Sequence, residues 1–284
     1  MNILVSANKN YLKSLITVLY SLSLNTNEKT INVYFINVSV SNDEIKNFKK
    51  IINNKISKIK LYIIDVNTDI LNTFKIKDHF SVETYSRLLL LKVLPEDIKR
   101  ILWLDADIII HNNIDDLYNM NFGEKALIAC KSINQNDEEN KKALSFEKNQ
   151  LYFNAGIILF NIEYLREKYN DDFLMSYAIE NNGKLKWLDQ DVLNAVLGKE
   201  TKIIEYEKYN FMHFSGTKIL DKQKNYLLKD NCILHYIGCI KPWNYKFDCW
   251  TYKFWKKYAK KSGAYSCFFF HKNYILHKIY MLKK

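Results

Sequence analysis

Arg100-Ile-Leu-Trp-Leu-Asp-Ala-Asp-Ile-Ile-Ile110 is the stretch of this sequence that indicates a fold, because two apolar runs enclose two acids. Apolar runs of this kind are typical of a buried parallel strand, where unpaired carboxylates would be costly. Side chains at i and i+2 of an extended backbone point to the same side, so Asp105 and Asp107 at the strand's end can reach one divalent cation. Oxygen ligands suit Mg²⁺ or Mn²⁺ better than Zn²⁺, and such an ion would suit a diphosphate. The alternative is an Asx turn in which both side chains cap backbone groups.

Strand and helix patterns alternate on both sides of this stretch. Strands are predicted at residues 2–6, 31–38, 59–65, 126–130, 155–160, 201–205 and 232–237. Helices are predicted at residues 11–24, 43–54, 83–92 and 189–197, whereas residues 133–149 are polar and are expected to form a loop or a short exposed helix. The alternation predicts a right-handed, mostly parallel α/β sheet in one domain that ends at residue 243.

Net charge divides the chain into two parts. The total is +11 over 284 residues, and residues 241–284 hold 11 Lys and one acid, which leaves +1 for the rest (11 − 10). A nearly neutral body argues against nucleic acid as a partner and for a basic appendage. Five cysteines without a C-x-x-C pair favour reduced thiols in the cytoplasm. No signal peptide or spanning helix is expected.

Polar residues follow the first predicted strand, and small residues precede a later one. In open α/β sheets, ligands bind at the carboxyl ends of strands. A base could therefore stack on Tyr11 and bond to Asn8 or Asn10, although either Asn could be an ordinary helix cap. The small residues of Phe153-Asn-Ala-Gly156 let a ligand approach the backbone, with a plain turn or bulge as the alternative.

Two later segments carry further polar groups. Trp187-Leu-Asp-Gln-Asp191 can orient a polar substrate at a helix start, or simply cap the helix. In residues 235–243, His235 is a candidate third metal ligand, and the Gly238 N–H and Lys241 ammonium are candidate phosphate contacts. A satisfied core histidine is one alternative. A zinc site of His235 with cysteines is another, although the spacing of Cys232, Cys239 and Cys249 matches no usual pairing.

The segments LDADIII, YFNAGIILFN, WLDQDVLN and HYIGCIKPW, in this order after an N-terminal strand and polar turn, resemble glycosyltransferase family 8 over about residues 1–243. The similar sub-type is that of bacterial lipopolysaccharide galactosyl- and glucosyltransferases. The resemblance implies a GT-A fold, Mn²⁺ with Mg²⁺ as a substitute, a UDP-hexose donor, a saccharide or glycolipid acceptor and retention at the anomeric carbon.

The resemblance also implies roles for single residues. Asp105, Asp107 and His235 match the metal ligands. The nucleotide-sugar contacts that it implies are Ala7, Asn8, Asn10, Tyr11, Arg87, Ala106, Asn154, Ala155, Gly156, Asp189, Gln190, Gly238 and Lys241. Position 8 is Asn where close relatives often have Asp facing the uracil imide, and an amide oxygen can still accept that N–H.

For the mechanism, the resemblance implies that Mn²⁺ bridges both phosphates and that Lys241 adds positive charge near the leaving phosphate. A neutral amide such as Gln190 is a poor nucleophile. We therefore expect same-face substitution, with Gln190 and Asp189 positioning the sugar and Asp191 as a less favoured covalent candidate. The loops 74–82 and 236–243 are expected to close over the donor.

Three other functions stay open from the sequence. A haloacid-dehalogenase-type phosphatase also places two Asp after an apolar strand, but usually near the start of the chain. A self-glucosylating primer protein shares the family's chemistry and would need an acceptor among the 20 Tyr. A non-catalytic carbohydrate-binding scaffold would not need the metal ligands.

The segment 244–284 differs from the body. Trp250, Phe254 and Tyr258 recur at helical spacing with Trp255 beside them, and more aromatics and Lys follow Gly263. This pattern is typical of an interfacial amphipathic segment, which predicts a peripheral position on the anionic inner face of the cell membrane. The alternative is that the aromatics pack onto the domain.

Overall fold

The computed structural model describes residues 1–67, 69, 71, 74, 82–133, 137–147 and 149–282. The strands in chain order are β1 (Asn2–Ser6), β2 (Ile31–Asn37), β3 (Ile59–Asp65), β4 (Arg100–Leu104), β5 (Ile108–Ile110), β6 (Leu127–Lys131), β7 (Phe153–Asn161), β8 (Thr201–Ile204), β9 (Phe211–His213) and β10 (Ile233–Tyr236). Within these described residues, one seven-stranded sheet has the order β3-β2-β1-β4-β7-β6-β8, and a smaller sheet has the order β5-β10-β9.

The large sheet is mostly parallel, so the predicted α/β architecture is confirmed. β1 pairs in parallel with β2 and β4, β2 with β3, and β6 with β8. β7 runs antiparallel to both β4 and β6, which the sequence pattern did not predict. As a result the first residues of β7 lie at the same edge of the sheet as the last residues of β4.

The acidic stretch belongs to two strands in different sheets. β4 ends at Leu104 in the large sheet, and β5 begins at Ile108 and pairs with β10 in the small one. Asp105 and Asp107 lie in the turn between them. The prediction of one strand is therefore corrected, because the chain leaves the large sheet at the two carboxylates, where burial within a strand would be costly.

The helices in chain order are α1 (Leu12–Leu24), α2 (Asn42–Lys55), α3 (Leu90–Val93), α4 (Asp115–Tyr118), α5 (Glu138–Ala143), α6 (Ile162–Lys168), α7 (Phe173–Glu180), α8 (Asp189–Leu197), α9 (Tyr206–Tyr209), α10 (Asp221–Lys229), α11 (Tyr252–Lys261) and α12 (Cys267–Leu282). A 3₁₀ helix over Val82–Leu89 leads into α3, where the sequence predicts one α-helix. α2 opens with a capping box between Ser41 and Glu44.

Hydrophobic cores lie on both faces of the large sheet, because neighbouring residues of a strand point to opposite faces. In β1, Ile3 and Val5 join the core formed with α1 and α2, whereas Leu4 joins the core formed with the 3₁₀ helix and α8. Burial on both faces explains why these strands are nearly continuous apolar runs.

The C-terminal segment begins as part of the domain. Phe254, Trp255 and Tyr258 of α11 are buried in the core that contains α1. The Tyr265 ring packs there as well, so α11 shares a core with the predicted domain 1–243, and the boundary itself stays a prediction. For α11 the packing alternative holds, because burying its aromatic rings against the domain removes them from water. α12 keeps several apolar side chains exposed. Among the described helices, none combines the length and apolar character that crossing a membrane requires.

Candidate active site

A cleft of about 590 Å³ lies where the chain leaves β1 and β4, with the first residues of β7 beside it. Its volume is in the range of small-molecule sites. Ser6 and Ala7 at the end of β1, the acidic turn after β4 and residues 154–156 of β7 all line it. The cleft thus lies at the sheet edge at which the sequence predicts ligand binding.

Backbone hydrogen bonds hold the acidic turn at the junction of the two sheets. The Asp105 N–H donates to the Gly156 carbonyl at 2.9 Å, which joins the turn to β7. The Asp107 carbonyl accepts from the Tyr236 N–H at 3.0 Å, which joins it to the end of β10. Both carboxylates reach the same place, although through a turn rather than through the extended backbone that the sequence suggested.

His235 completes a group that could hold a metal ion. The pairing of β10 with β5 sets His235 opposite Ile108. Its Nε2 lies 3.2 Å from Asp107 Oδ1 and 4.0 Å from Asp105 Oδ2. One ligand atom from each of the three side chains lies within 4.8 Å of the others. Two carboxylates and one imidazole are a donor set suited to a divalent cation.

Asp105, Asp107 and His235 are the candidate ligands, or metal-ligand group, and Gly156 is required by the close approach of two of them to β7. A Cβ at this position would collide with His235 Cε1 and lie 3.0 Å from Asp105 Oδ2. Any other residue would displace two of the three ligands. The sequence predicts that this glycine lets a bound ligand approach the backbone. In the structure, the side chains of Asp105 and His235 approach it.

Arg87 joins the acidic turn to α8. Its Nη2 donates to Asp105 Oδ1 at 2.9 Å, and its Nε lies 2.7 Å from Asp189 Oδ2. The guanidinium lies 4.2 Å from the centre of the Trp103 ring. The Trp103 Nε1–H also donates to Asp105 Oδ1, at 2.8 Å. Sequence reasoning missed Trp103, although its i, i+2 relation to Asp105 was a usable signal.

Two carboxyl groups of the cleft have opposite pKa shifts. Burial alone would raise the pKa of Asp107, but the Lys241 ammonium and the His235 ring together hold it well below its usual range. Lys241 Nζ lies 2.6 Å from Asp107 Oδ2. Burial raises the pKa of Asp189 to about 7, although Arg87 lowers it. Asp107 is therefore ionised throughout the physiological range, and Asp189 titrates within it.

Gln190 supports the wall of the cleft that the first residues of β7 form. Its Oε1 accepts from the Ala155 N–H and from Asn154 Nδ2, each at 3.0 Å. Its Nε2 donates to the Tyr152 hydroxyl at 3.1 Å. Both lone-pair directions of the amide oxygen are therefore used by the protein.

Asp191 lies beneath this wall rather than in it. It is fully buried, does not line the cleft, and accepts hydrogen bonds from the Tyr152 hydroxyl, Asn140 Nδ2 and the Trp187 N–H. These three donors compensate its charge. The expectation of Asp191 as a covalent candidate is corrected, because its carboxylate is enclosed and does not reach the cleft.

The predicted base-binding turn contributes most, but not all, of its residues. Asn8 and Tyr11 line the cleft, and Tyr11 packs edge-on against Trp243 with ring centres 5.3 Å apart. The Asn10 N–H donates to Asn8 Oδ1 at 3.0 Å in an Asx turn, and the exposed Asn10 side chain does not line the cleft. The helix-cap alternative is not what the structure shows, since α1 has no side-chain cap.

The structure brings most predicted site residues together. Those that line the cleft are Ala7, Asn8, Tyr11, Arg87, Asp105, Ala106, Asp107, Asn154, Ala155, Gly156, Asp189, Gln190, His235, Gly238 and Lys241. Sequence reasoning missed Asn210, which bonds to His235 and belongs to no motif of the sequence. Within the described part of the chain, the cysteines considered for zinc do not group with His235.

Of the two loops expected to close over a ligand, residues 236–243 are described in full. Most of residues 74–82 lie outside the described residues. In the second loop, Gly238 has φ +82° and a Cβ there would lie 2.8 Å from Phe214 Cδ1. Glycine therefore permits both the turn and the contact with Phe214 at the rim of the cleft.

Comparison with known proteins indicates one family. The family model for glycosyl transferase family 8 matches residues 2–246. A provisionally named glycosyltransferase of Haemophilus influenzae is 31% identical over 254 residues, which are 87% of this chain and 74% of that protein. The lipopolysaccharide 1,3-galactosyltransferase of Salmonella typhimurium is 26% identical over 251 residues, which are 86% of this chain and 73% of that protein. The crystal structure of the galactosyltransferase LgtC with donor and acceptor sugar analogues has a similar fold, with a TM-score of 0.79 at 20% identity, covering 96% of this chain and all of that one.

Proposed function

The chain belongs to glycosyltransferase family 8 and has the GT-A fold, and from this premise we propose that it transfers galactose or glucose from a UDP-sugar to a saccharide acceptor, with Mn²⁺ and with retention. The acceptor would be lipopolysaccharide, a lipid-linked glycan or another cell-surface glycan. The lipopolysaccharide galactosyltransferase among the relatives supports this class of donor and acceptor.

The observation that carries the proposal is the convergence of Asp105, Asp107 and His235 on one point of the cleft floor. The same cleft holds Arg87 and Lys241, both nearly buried. Two acids and an imidazole suit a divalent cation, and fixed positive charges beside it suit a diphosphate.

Asp105, Asp107 and His235 would hold Mn²⁺, or Mg²⁺ as a substitute. When bound, the ion acts as a Lewis acid that stabilises the negative charge of the departing UDP. The close packing of Gly156 against Asp105 and His235 supports such a role, because the fold itself holds these two side chains together.

Lys241 supplies a second positive group. Its ammonium is held by Asp107 Oδ2 at 2.6 Å and by the Tyr236 carbonyl at 2.8 Å. A buried ammonium interacts with a phosphate more strongly than a solvated ammonium does, because the dielectric constant around it is lower. Arg87, held by Asp105 and Asp189, would position the donor between the acidic turn and α8.

The environment of Gln190 favours same-face substitution over a covalent intermediate on this residue. A neutral amide is a weak nucleophile, and its oxygen already accepts two hydrogen bonds. Asp189 and Gln190 would position the sugar and buffer the positive charge that develops on it. Enclosure of Asp191 also supports this choice.

The proposal includes a peripheral position on the cytoplasmic face of the membrane through α12. Phe268 is 73% exposed and Leu282 is 88% exposed. Lys272 and Lys278 lie on the same helix, which contains no acid. Apolar side chains with Lys among them suit the surface of an anionic membrane. This position would hold the enzyme beside a lipid-linked acceptor.

UDP release is the direct test. The protein is incubated with UDP-galactose, UDP-glucose or GDP-mannose, with Mn²⁺ and with a lipid-linked oligosaccharide acceptor. We expect UDP release from one of the UDP-hexoses, loss of release with EDTA and its return on adding Mn²⁺. Unchanged protein mass would separate transfer to an acceptor from self-glucosylation. The absence of UDP release from both UDP-hexoses would contradict the proposal.

A further inference from the structure

A chain of side-chain hydrogen bonds runs from His235 to a buried carboxylate, and we infer that it fixes which ring nitrogen of His235 carries the proton, with Asn210 as the positioning residue. Each residue donates a hydrogen bond to the next one, from His235 to Asp191. The bonds are His235 Nδ1 to Asn210 Oδ1 (2.9 Å), Asn210 Nδ2 to Asn154 Oδ1 (2.8 Å), Asn154 Nδ2 to Gln190 Oε1 (3.0 Å), Gln190 Nε2 to the Tyr152 hydroxyl (3.1 Å) and that hydroxyl to Asp191 Oδ1 (2.6 Å).

Two backbone N–H groups set the direction of this chain. The Ala155 N–H donates to Gln190 Oε1, and the Gly156 N–H donates to Asn154 Oδ1, each at 3.0 Å. A backbone N–H donates only, so the oxygen of each amide must face it and neither amide can be flipped. The oxygen of Asn154 also faces Asn210, which must therefore present its NH₂ group to it.

The orientation of Asn210 then determines the His235 tautomer. With its NH₂ group directed at Asn154, Asn210 offers only its oxygen to His235 Nδ1. Nδ1 must therefore carry a proton, so in the neutral ring the Nε2 lone pair is the one directed at the two carboxylates of the acidic turn. Asn210 itself is fully buried and directly precedes β9, which pairs with β10 and so places it beside His235.

Without Asn210 the other tautomer would be favoured. Nε2 lies 3.2 Å from Asp107 Oδ1, so a proton on Nε2 would be held by that carboxylate. A metal ion could then use Nε2 only after the proton had moved to a buried Nδ1 with no acceptor. Loss of such a partner of a metal-bound histidine typically lowers metal affinity about 10- to 100-fold.

Asn154 makes the cleft wall and the metal-ligand group one hydrogen-bonded unit. Its NH₂ group holds Gln190, and its oxygen accepts from Asn210. A donor sugar that moves Asn154 would therefore change the hydrogen bonding of His235 through Asn210. This part of the inference rests on the proposed function, whereas the tautomer of His235 does not.

The first test replaces Asn210 and reads the ring directly. In full-length protein without metal at pH 8, ¹⁵N chemical shifts of the imidazoles identify the protonated nitrogen, and a His235→Gln sample assigns the signal among the six histidines. We expect Nδ1–H in the wild type and Nε2–H in Asn210→Ala. Mn²⁺ alone is then titrated by electron paramagnetic resonance, and its dissociation constant should rise about 10- to 100-fold in the variant.

Asn231→Ala is the matched control. Asn231 is also fully buried and its Oδ1 lies 2.8 Å from the Nε2 of His111, which does not line the cleft. This variant removes the same kind of Asn–His bond at another place. We expect its Mn²⁺ affinity and its His235 signal to equal those of the wild type.

Asn210→Asp keeps the hydrogen bond to His235 and removes the one to Asn154. It remains informative if the alanine variant does not fold. A carboxylate can still accept from His235 Nδ1, but it cannot donate to Asn154 Oδ1. We expect Nδ1–H and a Mn²⁺ dissociation constant within about threefold of the wild type, together with a raised KM for the UDP-hexose. Nε2–H in the wild type, or Nδ1–H and wild-type Mn²⁺ affinity in Asn210→Ala, would overturn the inference. If the wild type binds no Mn²⁺ but the tautomer still differs between the wild type and Asn210→Ala, the result would contradict the proposed function and leave the inference on the tautomer intact.

Discussion

The two carboxylates of the acidic turn are neutralised by different partners. Asp105 is held by Arg87 and the indole N–H of Trp103, and Asp107 is held by Lys241 and faces His235. Arg87 and Lys241 thus offset the charges of the two acids, and Asp189, with a pKa of about 7, also lies beside Arg87. A divalent cation adds positive charge to a balanced site, which the phosphates of a nucleotide-sugar can offset.

Asp105→Asn should abolish metal-dependent activity while the fold survives. The amide keeps the shape of the side chain and can still accept from Trp103, but it is a poor metal ligand. Since metal electrostatics supply several kcal/mol of transition-state stabilisation, kcat/KM should fall by about 10³-fold or more. Steady-state UDP release measures this, with circular dichroism as the check on folding.

Asp172→Asn is the control for that substitution. Asp172 is exposed and pairs with Lys92, so its replacement should leave the rate unchanged. Full activity of Asp105→Asn at saturating UDP-hexose would end the interpretation of the acidic turn as a metal site.

Asp189 should make the folded protein less stable as pH rises from about 4 to about 7. Burial raises its pKa to about 7 in the folded state, so in this window the folded protein binds more protons than the unfolded chain does. The free energy of unfolding therefore falls with increasing pH. In Asp189→Asn this contribution is absent. The difference in the free energy of unfolding between the two proteins should therefore change with pH by on the order of a few kcal/mol.

Urea unfolding of both proteins at pH 5 and pH 8 measures the change. Comparing the two proteins at each pH removes the contributions of the other titrating groups. A difference that does not depend on pH would show that Arg87, 2.7 Å from Asp189, keeps the carboxylate ionised throughout.

The strands could be predicted from sequence because burial on both faces gives continuous apolar runs. β1, β2 and β3 were predicted to within one residue at each end. The direction of β7 could not be predicted, because an apolar run has the same composition in either direction. α10 was missed because Leu227 alone among its residues is buried, so its sequence has no apolar stripe.

The same limit applies to the site. Asp105, Asp107, Asn154 and Gln190 could be predicted because each lies in a short motif next to a predicted element. Asn210 could not, because it reaches His235 only through the pairing of β9 with β10, 25 residues along the chain. Local patterns carry no information about such pairing.

α12 should bind anionic vesicles through its lysines. Each Lys near an anionic leaflet contributes about 1 kcal/mol, so the double variant Lys272→Glu with Lys278→Glu should lower vesicle partitioning at least about tenfold at low salt. Co-sedimentation with vesicles containing phosphatidylglycerol measures this, and high salt should release the wild type. Truncation near Asn244 is unsuitable, because it would also remove the buried Trp255 of α11.

The control for α12 is a double reversal of Lys49 and Lys50, which are exposed on α2. It changes the net charge equally without touching the C-terminal helix. An equal loss of vesicle binding in both double variants would assign the effect to net charge and not to α12.

The proposed donor site joins the two sheets of the molecule. Asp105 follows β4 of the large sheet, whereas His235 lies on β10 of the small sheet. The acidic turn is the shortest of the covalent links between the sheets, and α11 packs in the core that contains strands of both. A ligand held by both acids and the histidine would resist separation of the sheets, so binding should appear as a gain in stability of the whole domain.

UDP with Mn²⁺ should therefore raise the thermal unfolding midpoint, and His235→Gln should lose most of that rise. A ligand at 100 times its dissociation constant stabilises the folded state by roughly 2.7 kcal/mol, which corresponds to roughly 5–10 °C for a domain of this size. UDP alone and Mn²⁺ alone should give smaller shifts, because each lacks the contacts that the other brings. Differential scanning calorimetry of both proteins, at ligand concentrations fixed between samples, measures the shifts. An equal rise in His235→Gln would show that His235 contributes nothing to the binding of UDP with Mn²⁺.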